Sequence, residues 1–389
     1  MDKKVLIYFD EKKIKPCGGP AGYLYNLRNE LQKKGIENIS FLHGASGFEK
    51  KKGIFAKLPK WFQDGYHVAK RVRNVRNMKA GGSATVDFSQ YDAIHFHDTF
   101  SLYTVRNQLK DYKGKIIVQS HSPKPYYLEM MDKAKGIEKK IYKHQETFLK
   151  SVEETAFRLA DYIIFPCPEA EEPYYNNMDS YAAIHEGKKD DYRYLLTGIS
   201  DISVKEDKIR ERYHIPQDAF VISYVGRHNE TKGYDLLKEI GKSFLDKNPN
   251  TYVLVAGKEE PLKGLQHERW IEIGWTNNPH AIIQESDVFL LPNRETYFDL
   301  VLLEVLAVGK IVVASNTGGN KYFKRYGDEA AISLYDSVEE AEHILAEYSQ
   351  MSREERGALD GKNRRIYEKY FTSEIFAENY LNILEEICQ

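Results

Sequence analysis

Apolar residues come in short blocks, and the blocks are separated by longer stretches with helical spacing. Val5–Phe9 is a block of strand length. A glycine-containing loop follows, then a helical pattern over about 22–34 and a second apolar block at 36–42. Blocks at 91–96 and Lys115–Gln119 flank a helical pattern near 102–109. One long polar helix is expected over about 126–159, and Tyr162–Phe165 is a strand stopped by Pro166 and Pro168. Strands alternating with helices predict a parallel sheet covered on both faces.

From about 199 to 215 the chain turns polar and charged, which marks a domain boundary. A second series then begins, with strands at Phe220–Val225, 252–256, 270–273, 287–291 and 311–314. The last patterned segment, Ser373–Ile387, is helical. The fold class is α/β, with two doubly wound units and a cleft between them. The expected domains are 1–205, with a C-terminal helix at about 373–389 packing back on it, and 206–372.

A chain of 389 residues is long enough for two such cores. The formal net charge of −2 lacks the bulk basicity of most nucleic-acid binders, so no nucleic-acid partner is expected. Cys17, Cys167 and Cys388 are widely spaced and form no metal-ligand pattern, which points to a reducing compartment. The first apolar run is too short for a signal peptide, and no segment reaches membrane-spanning length. Residues 50–79 are different: ten Lys/Arg and one Asp give +9, leaving about −11 for the remainder. Leu58, Trp61, Phe62, Tyr66, Ala69, Val72 and Val75 recur there at steps of three and four. Such a basic helix suits an anionic membrane surface, or else packs its apolar stripe on its own sheet. The expected localisation is cytoplasmic, peripherally associated with the inner face of the cell membrane.

Candidate chemistry concentrates after the first strand of the second series. Gly226-Arg227 is followed five residues later by Lys232-Gly233, ahead of an amphipathic run. Two cations on one loop at the carboxyl end of a parallel strand suit a diphosphate, the Arg as a fork and the Lys as a point charge. The alternative is an ordinary solvated strand-to-helix loop. Further on, Leu300, Leu303, Ala307 and Val308 share one helical face, so Glu304 is a carboxylate in the second turn of a mostly apolar helix. It is either a surface glutamate or the acceptor of a ribose diol. The start of that helix, near Asp299 and Leu300, offers unpaired N–H groups to a phosphate.

Four stretches in order resemble one family, the family 4 retaining glycosyltransferases of the GT-B fold. They are Gly18-Gly19-Pro20-Ala21-Gly22; Gly226-Arg227 with Lys232-Gly233; Asp287 to Pro292 with Leu303-Glu304-Val305-Leu306-Ala307; and Ile311 to Ser315 with Gly318-Gly319. The resemblance covers nearly the whole chain. It implies that Arg227 and Lys232 hold the donor diphosphate and that Glu304 binds the donor ribose. It also implies that the Gly19 N–H faces the diphosphate across the cleft, with Gly18 and Gly226 beside it, and that His121 lies beside the transferred sugar. His121 is otherwise a loop-capping histidine.

One departure stands out. The family pattern separates two glutamates by seven residues, whereas Glu295 and Glu304 have eight between them. With Glu304 in register, Thr296 takes the first acidic position and Asp299 a place that is commonly Gly. Glu295, Asp299 or Thr296 then contacts the donor sugar, with Phe298 and Leu300 in the same donor-binding stretch. His97 and Asp98, ending another strand of the first series, are acceptor candidates or structural residues. His95 and His97 share a strand face, but no further ligand is apparent, and the resemblance implies no metal and no cofactor.

The expected function is a retaining glycosyltransferase. It moves a sugar from a nucleotide donor, a UDP-sugar, to a lipid-linked saccharide or other cell-surface polymer. The alternatives are a non-catalytic GT-B subunit that binds a partner transferase or protein acceptor, and a GT-B sugar-nucleotide epimerase.

Overall fold

The computed structural model describes residues 3–9, 14–16, 19–43, 59–82, 84–134 and 136–389. Two compact units emerge. The first comprises residues 1–165, 174–195 and 379–389, and the second 166–173 and 196–378. The chain therefore passes into the second unit about ten residues before the expected boundary. It returns partway along the last helix, Ser373–Ile387.

The first unit holds a six-stranded parallel sheet in the order β2-β1-β3-β4-β5-β6. Its strands are β1 Val5–Phe9, β2 Ile39–His43, β3 Ala93–Phe96, β4 Lys115–Gln119, β5 Tyr162–Phe165 and β6 Tyr192–Tyr194. Val5, Ile7, Ile94, Phe96, Ile117, Val118, Ile163 and Ile164 are fully buried, as unbroken apolar strands covered on both faces must be.

The second unit has its own parallel sheet, ordered β12-β11-β10-β7-β8-β9. These strands are β7 Phe220–Val225, β8 Thr251–Ala256, β9 Trp270–Gly274, β10 Val288–Leu291, β11 Ile311–Ser315 and β12 Ile332–Tyr335. Alternate residues of β7 serve opposite faces. Phe220, Ile222 and Tyr224 pack under the helices Tyr234–Lys247 and Val338–Gln350. Val221 joins Ile209, Leu254 and Ile282 on the other side.

Three differences from the sequence expectation have physical causes. The long helix over 126–159 is three helices, Tyr126–Lys133, Ile137–His144 and Glu146–Leu159. Gly136, at φ 55, breaks the first junction, and Gln145 caps the second outside helical geometry. The edge strands β6 and β12 are not among the expected strands: β6 is only Tyr-Arg-Tyr, and β12 is a short Ile-Ser-Leu-Tyr run broken by Ser333.

The third difference is in the basic segment, of which 50–58, including Leu58, lie outside the described residues. Lys60–Ala80 is helical, and it buries Val75 and Met78 while leaving Phe62, Tyr66 and Val72 exposed. The predicted stripe is thus divided between two faces. Arg71 lies 3.9 Å from Glu138 and over the Tyr142 ring, so this part of the helix is anchored on Ile137–His144.

Candidate active site

In the second unit, β7 ends at Val225 and the chain turns sharply through Gly226 into the loop carrying Arg227 and Lys232. Tyr224 OH donates to the Arg227 carbonyl at 2.9 Å, and Asn229 Oδ1 accepts from the Lys232 N–H at 2.9 Å. The Arg227 side chain is exposed at this strand end. Gly233 closes the loop at φ 63, ahead of the helix Tyr234–Lys247. A Cβ at Gly233 would stand 1.6 Å from the Pro292 carbonyl oxygen, so only glycine lets this loop press on the one after β10. The Arg294 N–H donates to the Thr231 carbonyl at 3.1 Å, joining the same two loops backbone to backbone.

The loop after β10 brings the acids. Asp299 Oδ2 accepts from Lys232 Nζ at 2.5 Å and from Asn293 Nδ2 at 2.7 Å. Burial raises the pKa of this carboxyl, but Lys232, Asn293 and the charge of Arg227 more than offset it, so the group stays below its ordinary value. Asp299 is also the N-cap of Leu300–Val308 with no side-chain cap bond, because its carboxylate is turned to Lys232. Glu304 sits one turn into this helix, and its Oε2 accepts from His280 Nε2 at 3.3 Å. Both side chains are 27% exposed, so the carboxylate remains reachable. Just past the carboxyl end of β9, Trp275 is 73% exposed.

The other residues of the acidic stretch take separate places. Glu295 is half-buried, and its N–H donates to the Thr231 carbonyl at 3.4 Å. Thr296 is buried, and its carbonyl accepts from the Gly319 N–H at 3.3 Å. Phe298 does not offer its ring to a ligand. The ring is buried against Phe323, Tyr322 and Phe371, with the Phe323 centroid 5.6 Å away. Only its backbone is left for a donor. Leu300 is half-buried at the first position of its helix.

Behind Arg227 lies a cluster that sequence reasoning did not find. His228 is fully buried and stacked on Tyr234, with centroids 3.8 Å apart. Burial, above all, lowers its pKa to about 4, so the ring is neutral. Glu272 accepts from Tyr234 OH and from Trp270 Nε1, and burial holds its pKa above the usual range. The cluster braces the cation loop from below.

In the first unit, Gly19 caps the helix Pro20–Lys33 at φ 76, while Gly18 lies outside the described residues. Strands β3 and β4 end side by side, since Phe96 pairs with Val118. Their ends carry His97 and His121, whose Nδ1 and Nε2 stand 2.8 Å apart, one ring donating to the other. His97 is 1% exposed and His121 half-buried. His97 is therefore buried behind His121, which favours the structural alternative for it over contact with an acceptor. Asp98 accepts from the Ser101 N–H and Oγ, both at 2.6 Å, and so caps the helix Thr99–Val105. Among the described residues, no group of three or more His, Cys, Asp and Glu is arranged to hold a metal ion.

These features define a class: a pair of doubly wound parallel units, one with a cation pair and two carboxylates at its carboxyl strand ends. The pattern of "Glycosyl transferases group 1" matches residues 205–360, and that of "Glycosyltransferase Family 4" matches residues 17–176. The chain belongs to the family 4 glycosyltransferases of the GT-B fold.

It is 26% identical over 245 residues to an uncharacterised 41.2 kDa protein in the cps region of Klebsiella pneumoniae, covering 60% of this chain and 62% of that protein. It is 26% identical over 204 residues to the O-antigen biosynthesis glycosyltransferase WclY of Escherichia coli, covering 50% of this chain and 55% of that one. The chain thus spans about three fifths or less of the length of these curated relatives. Among solved structures, HepE of Anabaena in complex with UDP-glucose superposes with a TM-score of 0.61 at 16% identity, covering 99% of this chain and 100% of that one. At that identity the likeness speaks for the fold.

Proposed function

We propose that the protein transfers a glycosyl group from a nucleoside diphosphate sugar to a saccharide acceptor, with retention. The observation that carries this is that Arg227, Lys232 and Asp299 come together at the ends of β7 and β10, with Glu304 one turn along the helix that Asp299 caps. Arg227 and Lys232 meet the diphosphate, and their charge gains value as the leaving group departs. Glu304, steadied by His280, takes the ribose diol. The N–H groups at the start of Leu300–Val308 face the phosphates.

In the step itself the bond from C1 to the diphosphate oxygen breaks as the acceptor oxygen bonds to C1 on the same face. The acceptor proton passes to the departing phosphate oxygen. The protein supplies position and charge, and no covalent intermediate or metal is called for. A UDP donor is supported by the likeness to HepE, whose complex holds UDP-glucose. A surface-polymer acceptor is supported by the O-antigen relative.

The acceptor is proposed to be lipid-linked, met at the inner face of a membrane. Lys60–Ala80 supports this: Phe62, Tyr66 and Val72 are exposed among Lys70, Arg73 and Arg76. Among the described residues, no helix is long and apolar enough to cross a membrane.

The test is calorimetry and slow hydrolysis with a panel of nucleotide sugars, followed by NMR of the product anomer. Binding of a nucleoside diphosphate lost in Arg227→Ala and Lys232→Ala supports the assignment. Unchanged binding in both variants overturns it, and an inverted anomer overturns retention.

A further inference from the structure

Three imidazoles and a tyrosine stand in a row inside the first unit. His95 and His97 lie on one face of β3 and just past it, with ring centroids 4.0 Å apart. His121, two residues past β4, lies edge to edge with His97 and nearly coplanar with it, centroids 5.1 Å apart and planes 14° apart. At the inner end, Tyr380 OH lies 3.1 Å from His95 Nδ1. Tyr23 covers the outer end: its OH donates to Gln119 Oε1 at 3.0 Å, and its ring meets the His121 ring edge-on at 4.7 Å.

The row is not a proton relay. His95 and His97 touch through their ring faces, and both Nε2 atoms are buried without a partner among the described residues. A proton has no hydrogen-bonded path between them. What the row does is hold rings. It also dictates where their protons sit. A buried N–H with no acceptor is rarer and less tolerable than an unpaired acceptor. The proton of neutral His97 therefore belongs on Nδ1, which faces His121, and not on the orphaned Nε2. The same reasoning puts the His95 proton on Nδ1, donating to the Tyr380 oxygen.

We propose that His97 is a positioning residue that donates from Nδ1 to His121 Nε2 and so fixes His121 as the Nδ1–H tautomer. His121 then meets the transferred sugar as a hydrogen-bond donor to a hydroxyl oxygen and takes no proton from the acceptor. This rests on the transferase reading and on the place beside the sugar that the family resemblance implies for His121. It explains why a ring with no view of a ligand is hydrogen-bonded directly behind one that is half-open.

The test has a spectroscopic and a kinetic arm. In the full chain with ¹⁵N-histidine, long-range ¹H–¹⁵N correlation should show an unprotonated Nε2 at His121 and a protonated Nδ1 at His97. A protonated His121 Nε2 overturns the tautomer. Kinetically, His97→Asn places an amide donor where Nδ1 was and should keep kcat within about threefold. His97→Gln moves the donor outward, and His97→Leu removes it. Both should lower kcat about tenfold or more while the Kd for nucleoside diphosphate stays unchanged.

His97→Leu added to His121→Ala should cost nothing further. If His121→Ala cripples transfer but His97→Leu does not, the positioning role is wrong. If His121→Ala is itself harmless, the sugar-side reading fails first and this inference with it. Should His97→Leu not fold, the Asn and Gln variants and the wild-type spectrum still decide.

Discussion

Replacing Asp299 with Asn should make the protein less stable and yet bind nucleoside diphosphate more tightly. Asn keeps the shape of the side chain and removes only its charge. In the wild type that charge is 2.5 Å from Lys232 Nζ, with side chains 20% and 13% exposed. At an effective dielectric near 20, a unit pair about 4 Å apart is worth about 4 kcal/mol. Desolvation and partial water access reduce the net to about 1–2 kcal/mol. At about 2–4 °C per kcal/mol for a unit of this size, the midpoint should fall by about 2–8 °C.

The ligand reverses the sign. A diphosphate on Lys232 and Arg227 brings negative charge to within about 6 Å of Asp299, a repulsion of about 3 kcal/mol before screening and about 1–2 kcal/mol after it. Asp299→Asn should therefore bind nucleoside diphosphate about 5- to 30-fold more tightly, while Lys232→Ala binds at least tenfold more weakly. Calorimetry at low and high salt, beside thermal melts without ligand, reads both effects. Equal or weaker binding by Asp299→Asn would mean that the ion pair does not mark the diphosphate subsite.

Further predictions follow from the buried titratable groups and from the basic helix. Burial, with the nearby His121 adding to it, lowers His95 to about 3, and burial also pushes His97 far down, so stability from both is present above pH 6.5 and lost as pH falls below it. Stability from denaturant melts should drop between pH 6.5 and 5, by up to about 3 kcal/mol per pH unit for these two rings on top of the share of the likewise depressed His121 and His228, and His97→Leu should remove about 1.4 kcal/mol per pH unit of the slope. Glu153 has the opposite sign: burial raises it to about 7 against hydrogen bonds from Tyr126 N–H, Tyr127 N–H and Tyr174 OH. Its contribution is full near pH 4 and lost as pH rises through 7, so wild type should lose about 3 kcal/mol over that range that Glu153→Gln does not. Replacing exposed Lys70, Arg73 and Arg76 with Gln should weaken co-sedimentation with anionic vesicles about a hundredfold, at about 1 kcal/mol per charge. Binding that ignores both salt and these substitutions would leave Lys60–Ala80 as a purely structural helix.

Strands buried on both faces were legible because Val, Ile and Leu run there unbroken: every expected strand is present within a few residues. Strands β6 and β12 were not, since β6 has three residues around an Arg and β12 only four with Ser333 among them, too short a run to stand out. Arg227, Lys232 and Glu304 could be placed at strand and helix ends from local pattern alone. Their partners could not. Lys232 meets Asp299 across 67 positions of chain, and His280 meets Glu304 across 24. His95 and His97 were visible as a pair on one strand face, but His121 joins them only through the β3–β4 register. Phe298 looked like part of a ligand loop because its aromatic partners, Tyr322, Phe323 and Phe371, are remote in sequence.

The contact between Gly233 and Pro292 makes the loops after β7 and β10 mechanically one body. Neither can shift without displacing the other, and the Arg294–Thr231 bond reinforces this. An alanine scan of either loop will therefore report on both. A residue that never meets the nucleotide can score like one that does, simply because it moves Lys232. Only pairwise variants spanning the two loops can separate touching from holding. The same rigidity leaves little order to be gained on binding, so changes of donor preference are better sought in residues outside the lock, such as exposed Trp275, than in the cations it secures.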